Sequence, residues 1–217
     1  MLLLVGLGNP EPRYAGHRHN VGFMALDEIA RRHGFGPWRS RYSSLICEGS
    51  LGGDKVLLQK PQTYVNRSGY AVAQALRFYK LPLQDLVVIH DELDLAAGKL
   101  RIKTGGGVAG HNGLRSIAEQ LGSRDFRRVR IGIGHPGHKE LVTGHVLGNF
   151  DALDRQWLAP LLDAIAAAAP LLAAGDDAGC MNRIAVLLRP PKAEPKPDSR
   201  PEPQPRSGSP ADPDGSG

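Results

Sequence analysis

At 217 residues, with 41% hydrophobic and 23% charged residues, the chain is long enough for one domain with its own core, and its composition excludes fibrous and wholly unstructured classes. Two cysteines, Cys47 and Cys180, exclude a disulfide framework and fit a reducing cytosol. From Arg189 onward five basic residues balance five acidic ones, so the whole +5 excess belongs to the preceding part, where 22 Lys and Arg face 17 Asp and Glu; a basic domain points to a polyanionic partner.

Leu2 to Leu7 reads as a buried strand, too short for a signal peptide and without a basic leader. Asn20 is placed to cap a helix reaching about His33, with Met24, Leu26, Ile29 and Ala30 on its apolar face and Gly34 as its stop. Leu45 to Leu51 and Lys55 to Lys60 read as a hairpin around Gly52-Gly53. Ser68 is placed to cap a second helix, with Ala71, Val72, Ala75, Leu76 and Tyr79 on one side. Leu86 to Ile89 follows as another buried strand. Leu100 to Lys103 and Val129 to Gly134 alternate as half-exposed strands do, and between them Leu114, Ile117, Ala118 and Leu121 recur at helical spacing up to Gly122. Leu158 to Ala174 and Met181 to Leu188 read as terminal helices; the first is short for a membrane span and is interrupted by Pro160, Asp163 and Pro170. Nine of the 17 prolines lie beyond Arg189, in a stretch with almost nothing apolar to bury. The expected fold is α/β: a single three-layer domain over residues 1–188, with a mostly parallel, mixed central sheet flanked by helices, and a disordered Pro-rich tail over 189–217.

Gly6-Leu-Gly8 after a strand suggests a dinucleotide site, but the fingerprint needs a third glycine where Glu11 stands, and that carboxylate would repel a pyrophosphate. The two glycines are expected to let the chain turn sharply and expose Asn9. Zinc spacings are absent, and His90 and Asp91, as strand neighbours, should point to opposite faces; no metal and no cofactor are expected. No G-x-S-x-G occurs, and Cys47 lies in mid-strand without a basic neighbour, which argues against covalent catalysis. His19 and Asp91 make the better pair. A neutral imidazole can take a proton from water, and a carboxylate behind it orients the ring and stabilises its charged form. Asn9, Asn66 and Asn112 lie where strand-like runs end, and amides can bind a carbonyl or an oxyanion without adding charge. Taken singly, Asn20 and Asn112 could be helix caps, Asn9 a turn residue and Asp91 an ion-pair partner.

Five motifs in order resemble bacterial peptidyl-tRNA hydrolase over residues 1 to about 188. They are Val5-Gly-Leu-Gly-Asn-Pro with Tyr14-Ala and Arg18-His-Asn-Val-Gly; Lys60-Pro-Gln-Thr-Tyr-Val-Asn-Arg-Ser-Gly; His90-Asp-Glu-Leu-Asp-Leu; Lys103-Thr-Gly-Gly-Gly through Gly110-His-Asn-Gly-Leu; and Arg128-Val-Arg-Ile-Gly-Ile-Gly-His-Pro. The resemblance implies cleavage of the ester joining a peptide to the 3′ ribose of tRNA, without a metal, by a monomer in the bacterial cytoplasm. It implies His19 as general base, Asp91 as its support, and Asn9 as the residue that tells blocked from free aminoacyl-tRNA. Asn66, Asn112, Tyr14 and Tyr64 fall on substrate-binding positions, and Arg101, Lys103 and Arg130 on residues that clamp tRNA phosphate. His17, Val65, Glu11 and Val108-Ala109 depart from the common pattern without touching the chemical groups. The loop from Gly105 to Gly110 is expected to gate the site. The alternative is a non-catalytic tRNA- or RNA-binding protein on the same fold.

Overall fold

The computed structural model describes residues 1–189. The expectation of a disordered tail falls, apart from Arg189, outside the described residues.

Seven strands, β1 (Leu2–Gly6), β2 (Arg39–Arg41), β3 (Ser44–Leu51), β4 (Asp54–Pro61), β5 (Leu86–Glu92), β6 (Leu100–Thr104) and β7 (Arg127–Gly132), form one sheet in the order β2-β3-β4-β1-β5-β7-β6. β4, β1, β5 and β7 run parallel to one another, while β2–β3, β3–β4 and β6–β7 pair antiparallel. The sheet is therefore mixed with a parallel centre, as expected. The helices are α1 (Val21–Arg32), α2 (Ser68–Tyr79), α3 (Asn112–Leu121), α4 (Val142–Val146), α5 (Ala152–Ala173) and α6 (Asp177–Leu187).

The central strands are apolar on both faces because both are covered. Leu2, Leu4, Val87, Ile89, Val129 and Ile131 enter one core with α1, α5 and α6. Their strand neighbours Leu3, Val5, Leu86 and Val88 enter a second core with α2 and α3. The period of two thus sorts each strand between two layers. It also sends Asp91 to the α1 side and His90 to the α2–α3 side.

Several boundaries differ from the sequence expectation. β5 runs on through Glu92, because polar His90 and Asp91 still pair with β7. The three-residue edge strand β2, all exposed, has no apolar pattern to announce it. Neither Asn20 nor Ser68 caps through its side chain: Asn20 bonds the Asn9 backbone, and the Ser68 hydroxyl donates to the Val65 carbonyl at 2.8 Å. α5 begins six residues before the expected Leu158, where Asp151 and Asp154 form a capping box, and it carries Pro160 and Pro170 inside it. At 22 residues α5 is long and apolar enough to cross a membrane by length and composition, contrary to the expectation that it is too short. Here Leu161, Ile165, Ala169 and Leu172 are buried in the core beside α1 and α6.

Candidate active site

Two glycines bring the first turn of α1 onto the sheet. A Cβ at Gly6 would lie 2.3 Å from the Gly22 carbonyl oxygen, and one at Gly22 would lie 2.4 Å from that of Ile89. Only glycine tolerates such backbone contact. The sharp turn expected from Gly6 and Gly8 is not what they provide, since neither has a positive φ. They provide close approach, which sets His19, just before α1, against the carboxyl end of β5.

There Asp91 meets the His19 ring: Nδ1 lies 2.9 Å from Oδ1 and 3.0 Å from Oδ2. A carboxylate only accepts, so Nδ1 carries the hydrogen and Nε2 keeps its lone pair. Burial disfavours the charged ring, but attraction by Asp91 and their hydrogen bond outweigh it and hold the His19 pKa above the usual 6.5. Burial would raise the Asp91 pKa, yet the His19 and His111 imidazoles keep it well below the usual carboxylate range. His17, on the flank of His19, is shifted down by partial burial and by His19.

A cavity of about 470 Å³ opens here, lined by Asn9, His19, Tyr64, Asn66, Asp91 and Asn112, with Val142, Val146 and Leu147 as an apolar wall. Asn9 is held by reciprocal bonds: its N–H donates to Asn20 Oδ1 at 3.0 Å and its carbonyl accepts from Asn20 Nδ2 at 2.9 Å. Its own Oδ1 accepts from the Val65 N–H at 3.0 Å. The Asn9 amide therefore spends its acceptor on the protein and offers its NH₂ group to the cavity. Tyr64 is exposed at the rim, and its hydroxyl donates to Glu11, which also pairs with Arg13 at 2.8 Å. Tyr14 is not among the cavity's lining residues; its ring stands edge-on to His17 at 5.1 Å.

The three cations singled out in the sequence lie outside this cavity, on the α2–α3 side of β6 and β7. Arg101 faces Arg130, and Lys103 faces Arg128, across the pair. Arg130 is engaged by Glu92 at 2.9 Å, whereas Arg101 and Lys103 are exposed and form no ion pair among the described residues. His90, Lys103, Arg128 and Arg130 surround a smaller hollow of about 250 Å³. His90 is buried there, neutral, with its pKa pushed down to about 3 chiefly by burial and then by His111. His90 and Asp91 do point to opposite faces.

Sequence reasoning missed three supporting residues. His111 caps α3, accepting from the Gly113 and Leu114 N–H groups, and also reaches Asp91 Oδ1 at 3.0 Å. Asn20 holds Asn9. Arg128, buried, donates to the carbonyls of Gly106, Gly107 and Arg124, and so grips the Gly105–Gly110 loop. A histidine directly before an Asn-Gly helix start was a visible cue for His111; nothing local marked Arg128. His19, Asp91 and His111 offer atoms within 4.8 Å of one another, close enough to invite a metal. The facing nitrogens already bond the carboxylate directly, so an ion would have to displace both bonds.

The chain matches the family described as Peptidyl-tRNA hydrolase over residues 3–194. A peptidyl-tRNA hydrolase of Rhizobium rhizogenes is 58% identical over 197 residues, 91% of this chain and 82% of that protein. One from Acidiphilium cryptum is 59% identical over 189 residues, covering 87% of this chain and 98% of the relative. The crystal structure of peptidyl-tRNA hydrolase from Acinetobacter baumannii superposes with a TM-score of 0.80 at 40% identity, over 85% of this chain and 94% of that one.

Proposed function

The chain belongs to the peptidyl-tRNA hydrolase family and is an enzyme that hydrolyses peptidyl-tRNA, and we propose that it does so with His19 as general base on water, without a covalent intermediate. The observation that carries this is the Asp91 carboxylate against His19 Nδ1 at 2.9 and 3.0 Å, which leaves Nε2 free toward the cavity.

Nε2 takes a proton from water as the water oxygen bonds the ester carbonyl carbon. The carbonyl electrons move onto oxygen, and Asp91 stabilises the imidazolium. The tetrahedral centre collapses, the bond to the 3′ ribose oxygen breaks, and that oxygen takes the proton back from Nε2. Water has supplied hydroxyl to the peptide and hydrogen to the ribose. Asn66 and Asn112, on the cavity wall, supply amide donors for the developing oxyanion. The Asn9 NH₂ suits a peptide carbonyl and disfavours the α-ammonium of a free aminoacyl group, which accounts for discrimination in favour of blocked substrates.

Arg101 and Lys103, with Arg130 beside them, are read as the contacts to tRNA phosphate. Such contacts give affinity without sequence readout. Tyr64 shapes the cavity rim and Tyr14 the surface beside it. The active form is a monomer of the bacterial cytoplasm, with residues 1–188 as the catalytic domain.

Release of peptide from N-acetylaminoacyl-tRNA tests the chemistry. His19→Ala lowers turnover by about 10²–10⁴-fold with tRNA affinity nearly unchanged, and a chelator leaves the wild-type rate intact. Full activity in His19→Ala removes His19 from the mechanism; loss of activity on chelation returns the His19, Asp91 and His111 cluster to the metal reading.

A further inference from the structure

The site holds a second imidazole for which the reaction proposed above has no task. His111 Nδ1 faces the first turn of α3, accepting from the Gly113 N–H at 3.1 Å and the Leu114 N–H at 3.4 Å. A nitrogen that accepts two backbone donors carries no hydrogen, so the hydrogen sits on Nε2, 3.0 Å from Asp91 Oδ1. The ring is nearly excluded from water, and the backbone of Gly113 packs beneath it so closely that a Cβ there would lie 3.1 Å from Cε1.

We propose that His111 is a positioning residue: the amino end of α3 locks its ring as the Nε2–H tautomer, and that fixed donor orients Asp91 and limits how basic Asp91 makes His19. The inference rests on His19 acting as the base.

Asp91 Oδ1 accepts from both rings, at 2.9 Å from His19 and 3.0 Å from His111, while Oδ2 accepts from His19 alone. A carboxylate that already satisfies a second donor holds its negative charge more firmly. Less of that charge is then available to stabilise the His19 imidazolium. The balance matters for a general base, which must be neutral at working pH yet basic enough to take the proton. With Asp91 serving His19 alone, a larger fraction of the base would stand protonated and idle. The bonds to Gly113, Leu114 and Asp91 also fix the plane of the carboxylate, and with it the direction of Nε2 of His19.

The other groups around the pair do not replace this control. His90 stands edge-on to His111 at 5.1 Å and is held neutral by burial, with its Nδ1 on the Asp91 backbone carbonyl. His17 lies on the outer flank of His19, and Glu92, on the cavity wall, is tied to Arg130. The His19 and His111 rings lie only 4.8 Å apart, so a charged His111 would oppose the charge that His19 must gain; a locked neutral ring avoids that.

Two isosteric variants separate the two bonds. His111→Asn sets its amide oxygen near the Nδ1 position and keeps the helix cap, but falls short of Asp91. His111→Gln sets its amide nitrogen near the Nε2 position and keeps the donor. The acid limb of kcat/KM is expected to move up by roughly 0.5–1 pH unit in His111→Asn, with kcat down about tenfold, and to stay near wild type in His111→Gln. Nitrogen-15 NMR of the His19 ring should show the same upward move without any turnover. In the wild type, nitrogen-15 shifts should report the hydrogen of the neutral His111 ring on Nε2 and none on Nδ1, a measurement that needs no variant to fold. A lower kcat in His111→Asn with both titrations unmoved overturns the proposal, as does a protonated Nδ1. If the NMR titration moves and the activity limb does not, His111 positions Asp91 as stated and the assignment of His19 as the base is what fails.

Discussion

His19 and Asp91 hold their charge states through direct neighbours. The raised His19 pKa means that the neutral base is regained only as pH rises through a value above 6.5, so kcat/KM should climb on an acid limb whose midpoint lies above 6.5. A rate profile flat down to pH 6 would contradict this. Asn20→Ala removes both bonds that hold the Asn9 backbone and leaves a buried N–H and C=O unpaired. Urea unfolding should show a loss of about 1–3 kcal/mol, and turnover should fall with it. His19 and Asp91 were legible in the sequence because an imidazole ahead of a helix and a carboxylate at the end of a buried strand cost free energy to desolvate unless each has a partner. His111 was passed over despite its place before Asn-Gly, because Asn112 beside it is the better intrinsic cap and took that role on propensity. Only the third dimension shows that the imidazole caps the helix while also reaching the carboxylate.

At the level of elements, the amphipathic helices and buried strands could be read from period alone, and most stand within a few residues of expectation. The failures share a cause: each boundary was drawn where apolar residues stop. β5 continues past Ile89 through His90, Asp91 and Glu92 because backbone pairing to β7 does not require apolar side chains, and that extension carries the carboxylate that meets His19. β2, paired only to β3, has no burial to leave a pattern. The seating of α1 on β1 and β5 yields a sharp expectation. Gly22→Ala places a methyl within 2.4 Å of the Ile89 carbonyl oxygen, so α1 must lift and His19 must leave Asp91. The variant should lose more than about 3 kcal/mol in denaturant unfolding and retain almost no turnover. Arg128→Ala should release the Gly105–Gly110 loop, seen as faster amide exchange across Gly106 and Gly107. Unchanged exchange there would mean that the guanidinium does not restrain the loop.

Across the whole molecule, two buried histidines set opposite slopes on the pH dependence of stability. His90 is depressed to about 3 in the folded state, so the unfolded chain binds more protons between about pH 3 and 6.5, and stability falls as pH drops through that window. From His90 alone, pH 5 should cost about 2 kcal/mol relative to pH 6.5. His19 is raised: its contribution is complete below about 6.5 and is lost as pH rises through the folded value. A stability maximum near pH 6.5 follows, checked by thermal melts across pH. Charge is also arranged on this scale. Replacing both Lys103 and Arg130 with Ala should weaken tRNA binding and reduce the slope of log affinity against log salt by about one unit per lost phosphate contact. An unchanged slope would place the phosphate contacts elsewhere.

His19, Asp91 and His111 are separated by 72 and then 20 positions along the chain. They converge only after the central strands have found one another. An enzyme that severs polypeptides from their adaptors is thus expected to be inert until its chain has reached the last of these three. No amino-terminal piece ending before the third of these residues should release any peptide from N-acetylaminoacyl-tRNA; cleavage by such a half-built hydrolase would show that the ring from α3 is dispensable.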